Sequence, residues 1–141
     1  MSDEKKRFNY LRQPHIGRVS IALAPLLEAL NEHSAYFVGS VLERPNFNDI
    51  DIVIIMDDAK YDSLFGKSGN TDIAAFSKWF NASSSELLRF MTGLPIDFRV
   101  QKMSVANKNY PSQPRDPIGL NVSGPDYDPA WLHVRTKYGE D

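Results

Sequence analysis

The stretch Ile50-Asp51-Ile52-Val53-Ile54-Ile55-Met56 is the most β-branched in the chain, and its reading decides the fold. β-Branched side chains are stiff at χ1 and pack well on a pleated surface, so the run predicts a central strand. Successive strand side chains point to opposite faces. Asp49 and Asp51 therefore project to one side, roughly 6–7 Å apart along the backbone, while Ile50 and Ile52 turn the other way into a core. A shorter run, Tyr36-Phe37-Val38, predicts a second strand that ends at Gly39. A third is predicted in Ile96-Asp97-Phe98-Arg99-Val100, where Asp97 and Arg99 share one face and the apolar residues share the other.

Around these strands the pattern changes to helical spacing. Val19, Leu23, Leu26, Leu27 and Leu30 recur every three or four residues, with Pro25 expected to open the main helix at its first turn and Asn31 to Ser34 to end it. Residues 59–70 contain Gly66 and Gly69 and read as a loop, and Asp57-Asp58 as a turn at the strand exit. Thr71 can cap a helix carrying Ile73, Phe76, Trp79 and Phe80. One of Ser83, Ser84 or Ser85 can cap a second helix, through Leu87, Leu88 and Met91, closed by Gly93 and Pro95. Phe76, Trp79, Phe80 and Phe90 are expected in the core.

The fold class expected is α/β (α+β): a short mixed β-sheet with helices packed on one side of it. Residues 1–18 read as a basic, loose leader, residues 19–103 as the domain, and residues 104–141 as an irregular Pro-rich C-terminal arm packed on the same domain. Pro111, Pro114, Pro117, Pro125 and Pro129 leave little regular backbone there, and Trp131, Leu132 and Val134 can pack the arm back.

Composition narrows the function. The chain has 141 residues, 42% hydrophobic and 24% charged, which is globular composition for one ordinary domain. A formal charge of −2 excludes a polybasic binder that holds nucleic acid by bulk charge. The absence of cysteine excludes disulfide scaffolds, thiolate zinc sites and cysteine nucleophiles. The longest apolar run, residues 21–27, is far short of the roughly 20 residues that span a bilayer, and the amino terminus has no signal-peptide core. A soluble cytoplasmic protein with no membrane partner is expected.

The chemistry concentrates on the acidic strand positions. Two carboxylates at i and i+2 can converge on one hard cation, because Mg²⁺ takes oxygen ligands at about 2.0–2.1 Å. If the third strand lies beside the first, Asp97 joins Asp49 and Asp51. Three carboxylates packed together repel unless divalent cations neutralise them. Such a cluster suits two ions about 3.5–4 Å apart, acting on a nucleoside triphosphate. From the phosphate side, Gly39 allows close backbone approach, and the Ser40 hydroxyl with the following N–H groups makes an anion nest.

Gly39-Ser40, a spacer, Asp49-x-Asp51 in a hydrophobic strand and the later Ile96-Asp97-Phe98 together resemble the nucleotidyltransferase superfamily related to DNA polymerase β, in its minimal single-domain form. The resemblance covers about residues 19–103 and is strongest over 36–57. It implies that Gly39 and Ser40 hold the triphosphate, that Asp49 and Asp51 bind both Mg²⁺ (or Mn²⁺) ions, and that Asp97 serves the acceptor-side ion. It implies a metal-dependent transferase moving a nucleoside monophosphate from an NTP to a hydroxyl, on a protein or RNA supplied in trans or on a small molecule. The chain departs from the family pattern at Val41-Leu42-Glu43-Arg44-Pro45, where Pro45 should cut the helix to about one turn, and at Asn48.

Arg44, Arg99 and Lys102 are the cations to consider near a triphosphate, Arg99 first because it lies beside Asp97. The basic stretch 98–115 with Tyr110 reads as a solvated loop, or else as a nucleic-acid or nucleotide contact. His15, His33 and His133 show no metal-binding spacing. The competing readings are a catalytically silent, antitoxin-like module that binds a partner protein, a sugar-nucleotide glycosyltransferase and a carboxylate-cluster nuclease.

Overall fold

A computed structural model describes residues 9–33, 35–66, 71–109 and 115–118. Expectations for residues 1–8, 34, 67–70, 110–114 and 119–141, including Ser34, Gly69, Tyr110, Pro111, Pro114, Trp131 and His133, lie outside the described residues. The chain is mixed α+β. In order it runs α1 (Gln13–Leu30), β1 (Ala35–Val38), a 3₁₀ turn (Gly39–Leu42), β2 (Ile50–Met56), α2 (Asp58–Phe65), α3 (Thr71–Thr92), β3 (Ile96–Lys102), α4 (Met103–Asn109) and β4 (Asp116–Ile118). The four strands form one mixed sheet in the order β3-β2-β1-β4, with β2 and β3 parallel and the other two pairings antiparallel.

The strand alternation divides the sheet into two apolar faces. Phe37, Ile50, Ile52, Ile54, Ile96, Phe98 and Val100 point into the larger core, against Val19, Leu23 and Leu27 of α1, Phe65 of α2 and Leu88 of α3. Tyr36, Val38, Val53 and Ile55 point the other way and meet Met103 and Ala106 of α4. Helices therefore cover both faces, not one side as the sequence suggests. The stretch read as irregular after residue 104 supplies most of α4 and all of β4.

Three helices differ from their sequence reading, each for a tertiary reason. Pro25 sits inside α1, and it is Pro14 that occupies the first turn. The hydrogen bond Pro25 forgoes would go to the carbonyl of Ile21, and both residues are exposed, so water can serve that carbonyl while the buried stripe runs on. Residues 13–18, read as leader, thus belong to the helix. Residues 58–65 form α2 rather than a loop, because Asp57 caps it from Lys60 N–H and Phe65 anchors it in the core.

α3 is a single helix through the serines that look like caps. Its residues Asn81, Ser85 and Arg89 recur every four positions, about 6 Å apart, close to the 6.6 Å repeat of every second residue on a strand. They satisfy the outer edge of β3 with side chains. Asn81 Oδ1 accepts from Val100 N–H at 3.1 Å, Ser85 Oγ accepts from Phe98 N–H at 2.8 Å, and Arg89 Nε donates to the Ile96 carbonyl at 2.8 Å. The edge strand is covered by a helix instead of being left to pair with another chain.

Because that buried face of α3 is set by its polar ladder and Leu88, the expectation of core burial for its aromatics fails. Trp79 and Phe90 are 62% and 87% exposed, Phe80 packs against the core, and Phe76, though 44% exposed, has its ring 5.7 Å from that of the core residue Phe65.

Candidate active site on the acidic end of the sheet

Three adjacent strands converge on Asp51. In the antiparallel register of β1 and β2 it lies opposite Val38, and in the parallel register of β2 and β3 it lies opposite Asp97. Paired positions on neighbouring strands send their side chains to the same face, so Asp51 and Asp97 leave the sheet together, away from the buried isoleucines. α4 packs on Val53 and Ile55, further along that face, whereas Asp49 and Asp97 are exposed and Asp51 is half-buried.

Gly39 follows Val38 with a φ of +79°, a conformation that favours glycine. Its backbone runs directly against the Asp51 carboxylate, with no space for a β-carbon between them. The turn after it is a single 3₁₀ turn, Gly39–Leu42, as Pro45 led us to expect. Ser40 Oγ donates to the Asp49 carbonyl at 3.5 Å, which joins the start of this turn to the start of β2. The sequence signals at 39, 40, 49, 51 and 97 are thus brought to one end of the sheet.

The electrostatics of Asp51 record that crowding. Its carboxyl is held above the ordinary aspartate value, first by burial, then by the Asp97 charge; Arg99 pulls the other way, and Asp49 adds a further push. Arg99 pairs in register with Val53, on the same face as Asp97. Arg44, whose backbone N–H donates to the Ser40 carbonyl at 3.0 Å, is exposed, with its guanidinium 3.8 Å from Glu43. Lys102 lies at the other end of β3, bound to Asp62 at 2.7 Å and over the Tyr61 ring, so it is not a cation of this site.

Sequence reasoning missed Arg89. A cleft of about 300 Å³ opens between α3 and β3, lined by Asn81, Ser85 and Arg89 from the helix and by Asp97 and Arg99 from the strand. Two guanidiniums flank it, and guanidinium is the group best suited to bidentate phosphate contact. The signal that could have found Arg89 is its place in the Asn81-Ser85-Arg89 repeat, which only matters once α3 is seen as one helix along β3.

Three carboxylates on one open face are donors of the kind hard divalent cations take. Among the described residues, however, no group of three or more acidic or histidine side chains is placed so that it could hold a metal ion. Asp49 and Asp97 are exposed, and the Asp51 carboxyl between them is raised by burial and by their charges, partly offset by Arg99. No helix among the described residues is long and apolar enough to cross a membrane. Comparison of the chain with protein-family models, with curated proteins and with solved structures finds no match.

Proposed function

We propose that the chain is a metal-dependent nucleotidyltransferase, which transfers a nucleoside monophosphate from an NTP to a hydroxyl acceptor. The observation that carries this reading is the register of Asp51 with Asp97 on adjacent parallel strands, with the Gly39 backbone against Asp51. In the reaction the acceptor oxygen bonds to the α-phosphorus, the bridging P–O bond to the β-phosphate breaks, and pyrophosphate leaves with that electron pair. Asp97, exposed at the rim, is the group to accept the hydroxyl proton. Asp49 and Asp51, with Asp97, would hold Mg²⁺ or Mn²⁺, which neutralises charge developing on the phosphates. Gly39 and Ser40 would lie along the triphosphate, with Arg99 and Arg89 at its open side. An acceptor on a protein or an RNA end supplied in trans, in the cytoplasm where NTPs are made, completes the reading.

Calorimetric titration of an NTP in the presence and absence of Mg²⁺ tests it, together with pyrophosphate release across a panel of acceptors. The Asp49→Ala, Asp51→Ala double variant should lose the magnesium-dependent part of binding, and equal binding by both proteins removes the assignment.

A second reading is a silent module on the same fold that binds nucleotide or a partner protein. It is favoured by the absence, among the described residues, of a group of three or more such side chains placed to hold a metal ion. NTP binding without pyrophosphate release for any acceptor would select it.

A further inference from the structure

The outer face of α3 carries a pattern that no part of the proposed active site uses. Trp79, Ser83, Leu87 and Phe90 face solvent, with Trp79 62%, Leu87 57% and Phe90 87% exposed, and Phe76 is 44% exposed with one side of its ring on Phe65. At about 100° per residue they fall within an arc of about 80° on one side of the helix, opposite the Ser85, Leu88 and Thr92 face that is buried. The stripe contains no charged residue. Phe76 and Trp79 stack on each other with ring centroids 5.9 Å apart, so this end of the stripe is a continuous aromatic surface.

The spacing of the stripe is symmetric about Ser83. Reading outward, Trp79 and Leu87 lie four residues away on either side, and Phe76 and Phe90 lie seven. A two-fold axis through Ser83 turns the helix end for end and maps each position onto its counterpart, which is the condition for a self-complementary interface. Phe76 of one copy would then meet Phe90 of the other, and Trp79 would meet Leu87, each contact occurring twice. At the axis the small Ser83 side chains let the two helices approach closely.

We propose that a second copy of this chain docks on this face, forming a dimer through an antiparallel pair of α3 helices. Large apolar side chains expose on the order of 100–200 Å² each, so the stripe buries on the order of 1,000 Å² over both copies, the lower edge of specific interfaces. The dimer is therefore concentration-dependent, half-dissociating in the micromolar range. The buried ladder of α3 faces away from the axis, so the two clefts beside β3 remain open in the pair.

Sedimentation equilibrium of the full chain, from about 1 to 200 μM, reads this directly. The expected result is a rise in mass from one 16.0 kDa chain toward two. Phe90→Glu should weaken association at least about tenfold, with an unchanged far-ultraviolet circular dichroism spectrum because that side chain packs on nothing buried. The chain has no cysteine, so Ser83→Cys supplies a single thiol at the axis. It should oxidise to a covalent dimer faster than Glu28→Cys, an exposed position on α1. A mass of one chain at every concentration overturns the proposal, as does tight association of Phe90→Glu or equal oxidation of the two cysteine variants. A single-chain mass combined with a lower Tm for Phe90→Glu would assign the face to another segment of the same chain.

Discussion

A β-carbon at position 39 would lie 2.5 Å from Oδ2 of Asp51 and 3.4 Å from its Cγ. The glycine is thus favoured by its φ of +79°, and the Asp51 carboxylate occupies the space that a side chain there would need. The backbone of the turn and the acidic group of the central strand are in direct contact, and a change in either is felt by the other.

Gly39→Ala separates these two effects. The left-handed φ costs about 1–2 kcal/mol for a residue with a β-carbon, a loss that urea denaturation should register. The carboxylate of Asp51 can rotate away, so the clash itself adds little to stability but moves the group from its place. Magnesium-dependent NTP binding should fall more than stability does. A variant destabilised by that amount with full nucleotide binding would argue against a role for the Asp51 position.

Asp51→Asn should stabilise the protein at neutral pH. A carboxyl whose folded pKa is raised costs stability above that pKa, and the cost disappears as pH falls below the unfolded value near 3.8. Removing the charge should therefore raise Tm modestly at pH 7, by less than about 1 kcal/mol equivalent, since the group is only half-buried. Mg²⁺ should raise the Tm of the wild type and leave the variant unmoved. Equal protection of both by Mg²⁺ would place the ion elsewhere.

Asp58 gives the opposite pH dependence at a different place. Its Oδ1 accepts from Ser104 N–H at 2.9 Å, capping α4 from 46 residues away, and hydrogen bonds from the Ser104 hydroxyl and then from its N–H hold the carboxyl below the ordinary value. A depressed carboxyl contributes stability above the unfolded pKa and loses it as pH falls through the folded value. Wild type and Asp58→Asn should therefore differ in Tm at pH 6, and the difference should shrink as pH falls below the ordinary carboxyl value of 3.8. Amide exchange at Ser104 should quicken in the variant at pH 6; unchanged exchange would mean the cap is not used.

Ser85→Ala probes the ladder along β3. Ser85 is 3% exposed; its hydroxyl accepts from Phe98 N–H and lies 2.8 Å from the Asn81 carbonyl and 3.1 Å from that of Phe98. Leaving the Phe98 N–H unpaired should cost about 1–3 kcal/mol in denaturant unfolding. Ser83→Ala, on the exposed side of the same helix, should be neutral or slightly stabilising. Equal effects at the two serines would contradict a hydrogen-bonded edge.

Much of the sheet was legible because strand signals are local. The run 50–56 is a strand over the residues its β-branching marks, and β3 starts at Ile96 and extends two residues beyond the expected Val100. The side-chain alternation that put Asp51 and Asp97 on one face, opposite to Ile52 and Phe98, holds in the register. The helices were less legible because their limits depend on distant partners. A serine that resembles a cap at position 85 is the acceptor for a strand thirteen residues on. Asp57 and Asp58, which look like a turn, begin one helix and cap another. Lys102, a cation in sequence, is taken up by Asp62 on α2.

What the chain determined by itself is which residues form the strands and which faces their side chains take, since these follow from β-branching and a two-residue period that operate within a few bonds. Only the tertiary structure decided that α3 runs unbroken along β3, that Arg89 reaches the cleft beside Asp97, and that Trp79 and Phe90 are left in solvent. A helix has several faces that its sequence can offer to a core. Which face is buried is chosen by the unpaired backbone groups of the strand it must cover.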